Sequence, residues 1–184
     1  MTGDWRLETD NQKTILYKKK VLQDNSIMIR VGFGFDVHKL ENNQDFLIGG
    51  IKIPHTKGAV GYSDADVLIH AICDALLGAA ALRDIGFFFP DKSPEFKNID
   101  SKILLKKVVS LLTENGYSIN NIDTTICLQK PKLSEYIPEM KNVLAKTMQI
   151  SEGDISIKAT TTEMLGFEGR EEGISAYAVV LIAK

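Results

Sequence analysis

In the stretch "VGFGFDVHKL", residues 31–40, Asp36 and His38 stand two positions apart among glycines and phenylalanines. Alternate side chains of a β-strand point to one face, so a strand here puts both groups together and turns Val37 away. A third group lies further along: His70, inside "DADVLIHAICDALLGAAAL", with Asp66 and Asp74 one turn to either side. The 66, 70, 74 spacing is one stripe of a helix. A helix packed over the strand would gather Asp36, His38 and His70, offering one carboxylate oxygen and two imidazole nitrogens with a fourth position open. That is the donor pattern of a catalytic or substrate-holding Zn²⁺ rather than a closed structural site, and it also suits Mn²⁺ or Fe²⁺. On spacing alone, a hydrogen-bonded Asp–His pair at a sheet edge and a satisfied core or surface helix histidine are the commoner arrangements.

Three other segments carry phosphate-type chemistry. "KATTTEMLGFEGR" ends a strand with Thr160, Thr161 and Thr162, then Glu163, a glycine-bearing loop and Arg170. Threonine hydroxyls and backbone N–H groups at a strand end can hold phosphate oxygens, and a nearby carboxylate can hold a hard cation; threonine is also simply a good strand residue. "LQKPKLSEYIP" offers backbone groups in a proline-fixed loop with Lys130 and Lys132 as phosphate partners. "RDIGFFFPD" places Asp84 and Gly86 just after the His70 helix, where the carboxylate could accept from a ribose diol or merely close a turn.

The elements that must position these groups follow from periodicity. Residues 29–37 read as a strand in which Gly32 and Gly34 mark close backbone approach, and "FLIGGIKIP" as a hairpin turning at Gly49-Gly50. "HTKGAVGYS" reads as loop. Residues 64–82 form the clearest helix, with Ser63 and Asp64 as candidate caps. The 18-residue connection "RDIGFFFPDKSPEFKNID" is long enough to be functional or partly structured. "SKILLKKVVSLLTENG" is an amphipathic helix with Ser101 as cap and Gly116 as stop. A strand "YSINNIDTTICLQ", a helix starting near Pro138, and the strands "ISIKATTTE" and "ISAYAVVLIA" complete the chain. Strands alternating with helices, with hairpins present, predict a single α/β (α+β) domain: one mixed sheet with helices on a single side. Several strands look apolar on both faces, so the uncovered face predicts a homo-oligomer of cyclic symmetry.

The 184 residues suit one domain and bury a core without staples. A net charge of −2 gives no global attraction to nucleic acid or an acidic membrane surface, so any anion site must be local. No apolar run reaches the ~18 residues that span a bilayer. Cys73 and Cys127 lack CxxC spacing and read as small buried thiols in a reducing compartment. Residues 1–27 lack an apolar h-region and carry Asp4, Glu8, Asp10 and Asp24, unlike a signal or transit peptide. They read as a loosely ordered extension before a domain at 28–184, with Met28 as an alternative start.

Taken in order, "GFGFDVH", "IGGIKIP", "GYSDADVLIHAICDALLGAAALRDIGFFFPD", "QKPKL" and "IKATTTEMLGFEGREEGI" resemble the 2-C-methyl-D-erythritol 2,4-cyclodiphosphate synthase family of non-mevalonate isoprenoid biosynthesis, over residues 29–183. The resemblance implies a homotrimer with active sites between subunits and metal ligands at Asp36, His38 and His70, holding Zn²⁺ or another divalent ion. It implies a cytidine pocket on the Leu128–Ser134 loop, with Leu128, Pro131, Lys132 and Leu133, completed by Thr160, Thr161 and Thr162 of another subunit. Ser63, Asp84, Ile85, Gly86, Phe89 and Asp91 fall where the family meets substrate. Glu163 matches the ligand of a second ion, Mg²⁺ or Mn²⁺, between the substrate phosphates, and Phe167 and Arg170 match a substrate or core-lining loop. The family commonly has a histidine, credited with stabilising the transition state, where this chain has Tyr62; a phenol can donate a hydrogen bond but carries no imidazolium charge near pH 7. The implied activity joins the 2-phosphate of 4-diphosphocytidyl-2-C-methyl-D-erythritol 2-phosphate to its own diphosphate with loss of CMP, in the cytoplasm or, transit peptide removed, in a plastid. A trimeric metal-containing small-molecule binding module without turnover, and a metal-dependent phosphate-ester hydrolase, are the competing readings. His55 reads as a surface residue.

Overall fold

Glycine-spaced strand residues and a small-residue helix meet at the centre of the fold. A computed structural model of the chain describes residues 27–91 and 93–184; apart from Ile27, the extension read at 1–27 lies outside them. The elements run β1 (Ile29–Asn42), β2 (Leu47–Ile48), β3 (Ile51–Lys52), β4 (Lys57–Val60), α1 (Val67–Ala79), α2 (Ile85–Phe88), α3 (Ser101–Glu114), β5 (Ser118–Cys127), α4 (Ile137–Met148), β6 (Ile155–Thr160), α5 (Gly166–Gly169) and β7 (Gly173–Ala183). Five strands form one sheet in the order β4-β1-β7-β5-β6. All neighbours are antiparallel except β5 and β6, so the sheet is mixed, as its patterning predicts. A parallel pair needs a long crossover, and α4 supplies it. The Gly49-Gly50 turn joins β2 to β3 as a separate hairpin, both glycines at positive φ (62° and 79°) where a side chain would be strained.

Gly32 and Gly34 set the spacing between β1 and α1. A Cβ on Gly32 would lie 1.9 Å from the Ala75 carbonyl oxygen, and one on Gly34 2.0 Å from that of Ala71. Helix backbone therefore rests on strand backbone, and the even-numbered side chains beyond Gly34 face α1. The core forms on this side, from Leu68, Ile69, Ile72 and Leu76 of α1, Leu105 and Leu112 of α3, and Ile174, Ala176, Ala178 and Val180 of β7. The opposite face is bare in the single chain: Val31 is 66% and Phe33 63% exposed, with Phe35, Val37, Tyr177 and Val179 continuing the apolar patch.

Several local expectations need correction. Residues 57–60, read as loop, form β4 because they pair with Lys39–Asn42. β1 accordingly runs to Asn42 rather than stopping at 37. β6 ends at Thr160, where its pairing with Cys127 ends, leaving Thr161 and Thr162 beyond the strand. The caps shift as well. Asp66, not Ser63 or Asp64, caps α1 and accepts from the Ile69 N–H at 3.0 Å. Asp100, not Ser101, caps α3 and accepts from the Lys102 N–H at 2.9 Å. The long connection is partly structured, holding α2 and a 3₁₀ turn at Pro94–Phe96. Cys73 is buried and Cys127 only partly so, and His55 is half-buried against Phe46.

Because the β1–α1 contact is backbone on backbone, neither side can yield locally. Gly34→Ala should cost about 1–3 kcal/mol or more by overpacking and push His70 away from Asp36. Urea unfolding checks the first effect and zinc binding the second; wild-type values for both would show that the helix does not rest on the strand.

Candidate active site and metal centre

Asp36 and His38 project from β1 toward α1, which carries His70 on its first turns. The three side chains converge on one point. Asp36 Oδ2 lies 3.0 Å from His38 Nε2 and 2.9 Å from His70 Nδ1, and the two ring nitrogens are 3.2 Å apart. Among the described residues, this is the group of three His, Cys, Asp or Glu side chains whose ligand atoms all fall within 4.8 Å. The far nitrogen of each ring is also held. His38 Nδ1 lies 3.1 Å from the Val60 carbonyl oxygen, which can only accept, so Nδ1 carries a proton and, in the neutral ring, Nε2 presents a lone pair. His70 Nε2 lies 2.9 Å from Ser101 Oγ and 3.1 Å from Ser63 Oγ.

Negative charge and nitrogen lone pairs thus crowd one small volume, which favours a cation there. Burial opposes ionisation of Asp36, but its hydrogen bonds to His38 and His70 and their charges outweigh this and hold its pKa at about 2. Burial likewise opposes the His70 imidazolium, yet the hydrogen bond and charge of Asp36, with Asp66 and Asp64 nearby, raise the His70 pKa overall. A proton on His70 and a metal ion compete for the same electrons. The donor set, one carboxylate and two imidazoles with no fourth His, Cys, Asp or Glu ligand among the described residues, fits a divalent ion with a free coordination position.

Around the triad lies a cavity of about 200 Å³, lined by Tyr62, Ser63, Asp74, Ile85, Gly86, Phe89 and Asp91 as well as the triad itself, with Phe96, Ile99 and Leu104 at its apolar wall. The 66–70–74 stripe splits in function. Asp66 is fully buried and ties the hairpin to α1 by accepting from the N–H groups of Gly49 and Gly50. Asp74 faces the cavity and accepts from the Ile85 N–H at 2.8 Å; burial first, then Asp84 and Asp36, push its carboxyl upward. Asp84 caps α2 through the Phe87 N–H at 2.9 Å, which fixes the turn bearing Ile85 and Gly86. Tyr62 donates its hydroxyl proton to the Ser93 carbonyl at 3.0 Å.

A second cavity, of about 230 Å³, opens between the β5 and β6 ends and the following loop. Leu128, Pro131, Lys132, Leu133, Thr160 and Thr161 line it, with Gln129 and Ser134 of the same loop, joined by Ile137 and Ala159 from just outside the expected Leu128–Ser134 loop and threonine run. Beyond it, Thr161 Oγ1 donates to Glu163 Oε1 at 3.0 Å, and Glu163 and Met164 both sit at positive φ (53° and 65°). Consecutive non-glycine residues in that region are costly and mark a constrained loop. Lys130, read as a phosphate partner, pairs with Glu171 at 3.0 Å within the chain. Arg170 makes a two-pronged contact with Glu172 at 3.0 and 2.9 Å, and Phe167 packs on Gly173; none of Glu163, Thr162, Phe167 or Arg170 lines either cavity.

One row of residues crosses the sheet through both regions: Asp36 pairs with Ala176, Ala176 with Ile126, and Ile126 with Ala159. Three strand spacings separate its ends, roughly 14 Å. The two cavities therefore share one end of the sheet but lie toward different edges of one chain.

Comparison with known proteins places this geometry. The YgbB family model matches residues 29–183. The 2-C-methyl-D-erythritol 2,4-cyclodiphosphate synthase of Bacteroides fragilis is 66% identical over 154 residues, covering 84% of this chain and 97% of that protein. A solved 2C-methyl-D-erythritol-2,4-cyclodiphosphate synthase in a CDP-bound form superimposes with a TM-score of 0.77 at 32% identity, over 83% of this chain and 99% of that one. The bifunctional IspDF of Campylobacter jejuni matches with a TM-score of 0.83 at 42% identity; the alignment takes in 86% of this chain but spans less than half, 43%, of the bifunctional protein. With its triad, its two cavities and a match that runs the length of the sheet, the chain belongs to the YgbB family.

Proposed function

We propose that this enzyme converts 4-diphosphocytidyl-2-C-methyl-D-erythritol 2-phosphate into 2-C-methyl-D-erythritol 2,4-cyclodiphosphate with release of CMP, as a metal-dependent phosphorus–oxygen lyase of isoprenoid precursor biosynthesis. The convergence of Asp36, His38 and His70 within a cavity carries the reading, and the close relatives of that activity support it.

In the reaction an oxygen of the 2-phosphate attacks the β-phosphorus of the diphosphate, the bond from that phosphorus to the bridging oxygen breaks, and CMP departs with that oxygen. The nucleophile is already anionic, so the protein needs no general base; it aligns groups and neutralises charge. Zn²⁺ or another divalent ion on Asp36, His38 and His70, with Mg²⁺ or Mn²⁺ near Glu163, would polarise the phosphoryl oxygens and offset their charge. Leu128, Pro131, Lys132 and Leu133 form the cytidine pocket, Lys132 turned to phosphate. Ile85, Gly86, Phe89, Asp91 and Ser63 wall the space for the methylerythritol, with Asp84 on the hydroxyls. Thr161 holds the transferring group while Thr160 and Thr162 steady the loop. Tyr62 exchanges its Ser93 carbonyl for a phosphate oxygen as charge develops.

The working unit in this reading is a homotrimer. Val31, Phe33, Phe35, Val37, Tyr177 and Val179 form a face too apolar to stay wet, and covering it with neighbouring copies lets the triad of one chain meet the threonine loop of the next. Sedimentation at the mass of one chain would contradict this. Among the described residues no helix is long and apolar enough to cross a membrane; we place the enzyme in the cytoplasm, acting on a nucleotide-linked small molecule without nucleic-acid or membrane partners.

Incubating the diphosphocytidyl substrate with the protein, Zn²⁺ and Mg²⁺ should give CMP and a cyclic diphosphate in equal amounts, read by phosphorus NMR. Open-chain phosphate products would favour a hydrolase, and binding without turnover a binding module. Tyr62→Phe should lower kcat roughly 100-fold if the phenol donates to the transition state; an unchanged kcat would reduce Tyr62 to a prop for Ser93.

The raised His70 pKa sets the pH dependence of metal binding. Its proton must leave before the ion binds, so zinc affinity should be full above that pKa and fall as the pH drops through it, starting above the usual 6.5 of imidazole. Asp36, at about 2, stays ionised throughout and adds no step. Chelator competition between pH 5.5 and 8.5 checks this, and His38→Ala should bind zinc at least tenfold more weakly at every pH. A flat profile would place the ion elsewhere.

A further inference from the structure

Ser63, Asp64 and Ser101 stand where helix caps are expected, yet Asp66 and Asp100 do the capping. The two serines turn instead to His70, and Asp64 to Ser101. Ser101 is fully buried at the N-terminus of α3, its Oγ 2.9 Å from His70 Nε2 and hydrogen-bonded on its other side to Asp64 Oδ1. Asp64 Oδ2 accepts from the Ser101 backbone N–H at 2.9 Å, so one carboxylate grips both donors of that residue.

The direction of the chain follows from what each group can do. A carboxylate only accepts, so the Ser101 hydroxyl donates to Asp64. That hydroxyl has no second proton, so toward His70 it can only accept, and Nε2 must carry a hydrogen. Once the ring is neutral, the Nδ1 lone pair is then the one aimed at Asp36 Oδ2 and His38 Nε2. Ser63 Oγ, 3.1 Å from the same Nε2 and accepting from the Ala65 N–H, offers that hydrogen a second acceptor. His38 reaches the matching state through the Val60 backbone carbonyl, whereas His70 depends on the side chains of Ser63, in the loop before α1, and Ser101, at the start of α3.

We propose that Asp64 and Ser101 are positioning residues of the metal centre: the Asp64–Ser101–His70 chain fixes the tautomer and ring orientation of His70 and couples the ion to the seating of α3. The inference rests on the triad being a metal site. Partners of this kind, one bond removed from the ion, typically govern affinity by 10–100-fold.

The test pairs zinc affinity, by chelator competition, with long-range nitrogen–proton NMR of the His70 ring in the zinc-loaded protein. Ser101→Ala should weaken zinc about 10–100-fold and broaden or split the single Nε2–H pattern of the wild type, Ser101→Thr should restore both, and Asp64→Asn should move both in the same direction as Ser101→Ala. Wild-type affinity and an intact Nε2–H pattern in a folded Ser101→Ala protein would overturn the proposal. If Ser101→Ala does not fold, Asp64→Asn decides it, unchanged values again counting against. Failure of the wild-type protein to bind zinc would instead remove the metal site on which the inference stands, an outcome separate from equal binding by wild type and variants.

Discussion

Where α1 crosses β1, two polypeptide backbones touch without side chains between them, and the site depends on that contact. The strand gives up its Cβ atoms at Gly32 and Gly34, and the helix answers with Ala71 and Ala75 carbonyls that would sit about 2 Å from any added carbon. Close approach shortens the reach needed from Asp36 and His38, which continue the same strand face, to His70 on the helix. The metal-type geometry is therefore a consequence of packing rather than of loop placement. Rigid elements hold catalytic groups more accurately than loops do.

The electrostatic consequence is a centre that is unsatisfied by itself. Three donor atoms within hydrogen-bond distance of one another repel unless a proton or a cation lies among them, and the opposed shifts of Asp36 and His70 express that demand. The surroundings sharpen it: a backbone carbonyl holds one ring, two serines and a carboxylate hold the other, and an apolar wall of Phe89, Phe96 and Leu104 limits access of water. Phosphoryl transfer profits from such a place because its charge is spread over oxygens that need fixed, dry partners.

Much of this was legible in the residues themselves. The alternation of β1 put Asp36 and His38 on one face and Val37 on the other, and the structure agrees. The glycines announced the close approach, and the apolar character of both sheet faces anticipated the bare patch around Phe33. What the sequence hid was pairwise and long-range. β4 looks like loop because four residues rich in glycine and alanine become a strand only through their partner. The caps slipped by one to three residues because several acceptors stand side by side near each helix start, and local spacing cannot say which turns inward. Asp64 and Ser101 were visible as polar residues before apolar runs, but their meeting across 37 positions was not. Likewise the pairing of Lys130 with Glu171, 41 positions on, was not legible in the sequence.

The convergent triad as an open, phosphate-gripping ion site is the claim on which the rest turns, and X-ray absorption at the zinc edge addresses it directly. The zinc-loaded protein should show one ion per chain in a shell of about four light atoms at roughly 2.0–2.1 Å, two of them imidazole, with no sulfur. Adding the cyclic diphosphate product should bring a phosphorus neighbour into the outer shell. A sulfur ligand, a shell that the cyclic diphosphate leaves unchanged, or zinc that washes away would contradict the account.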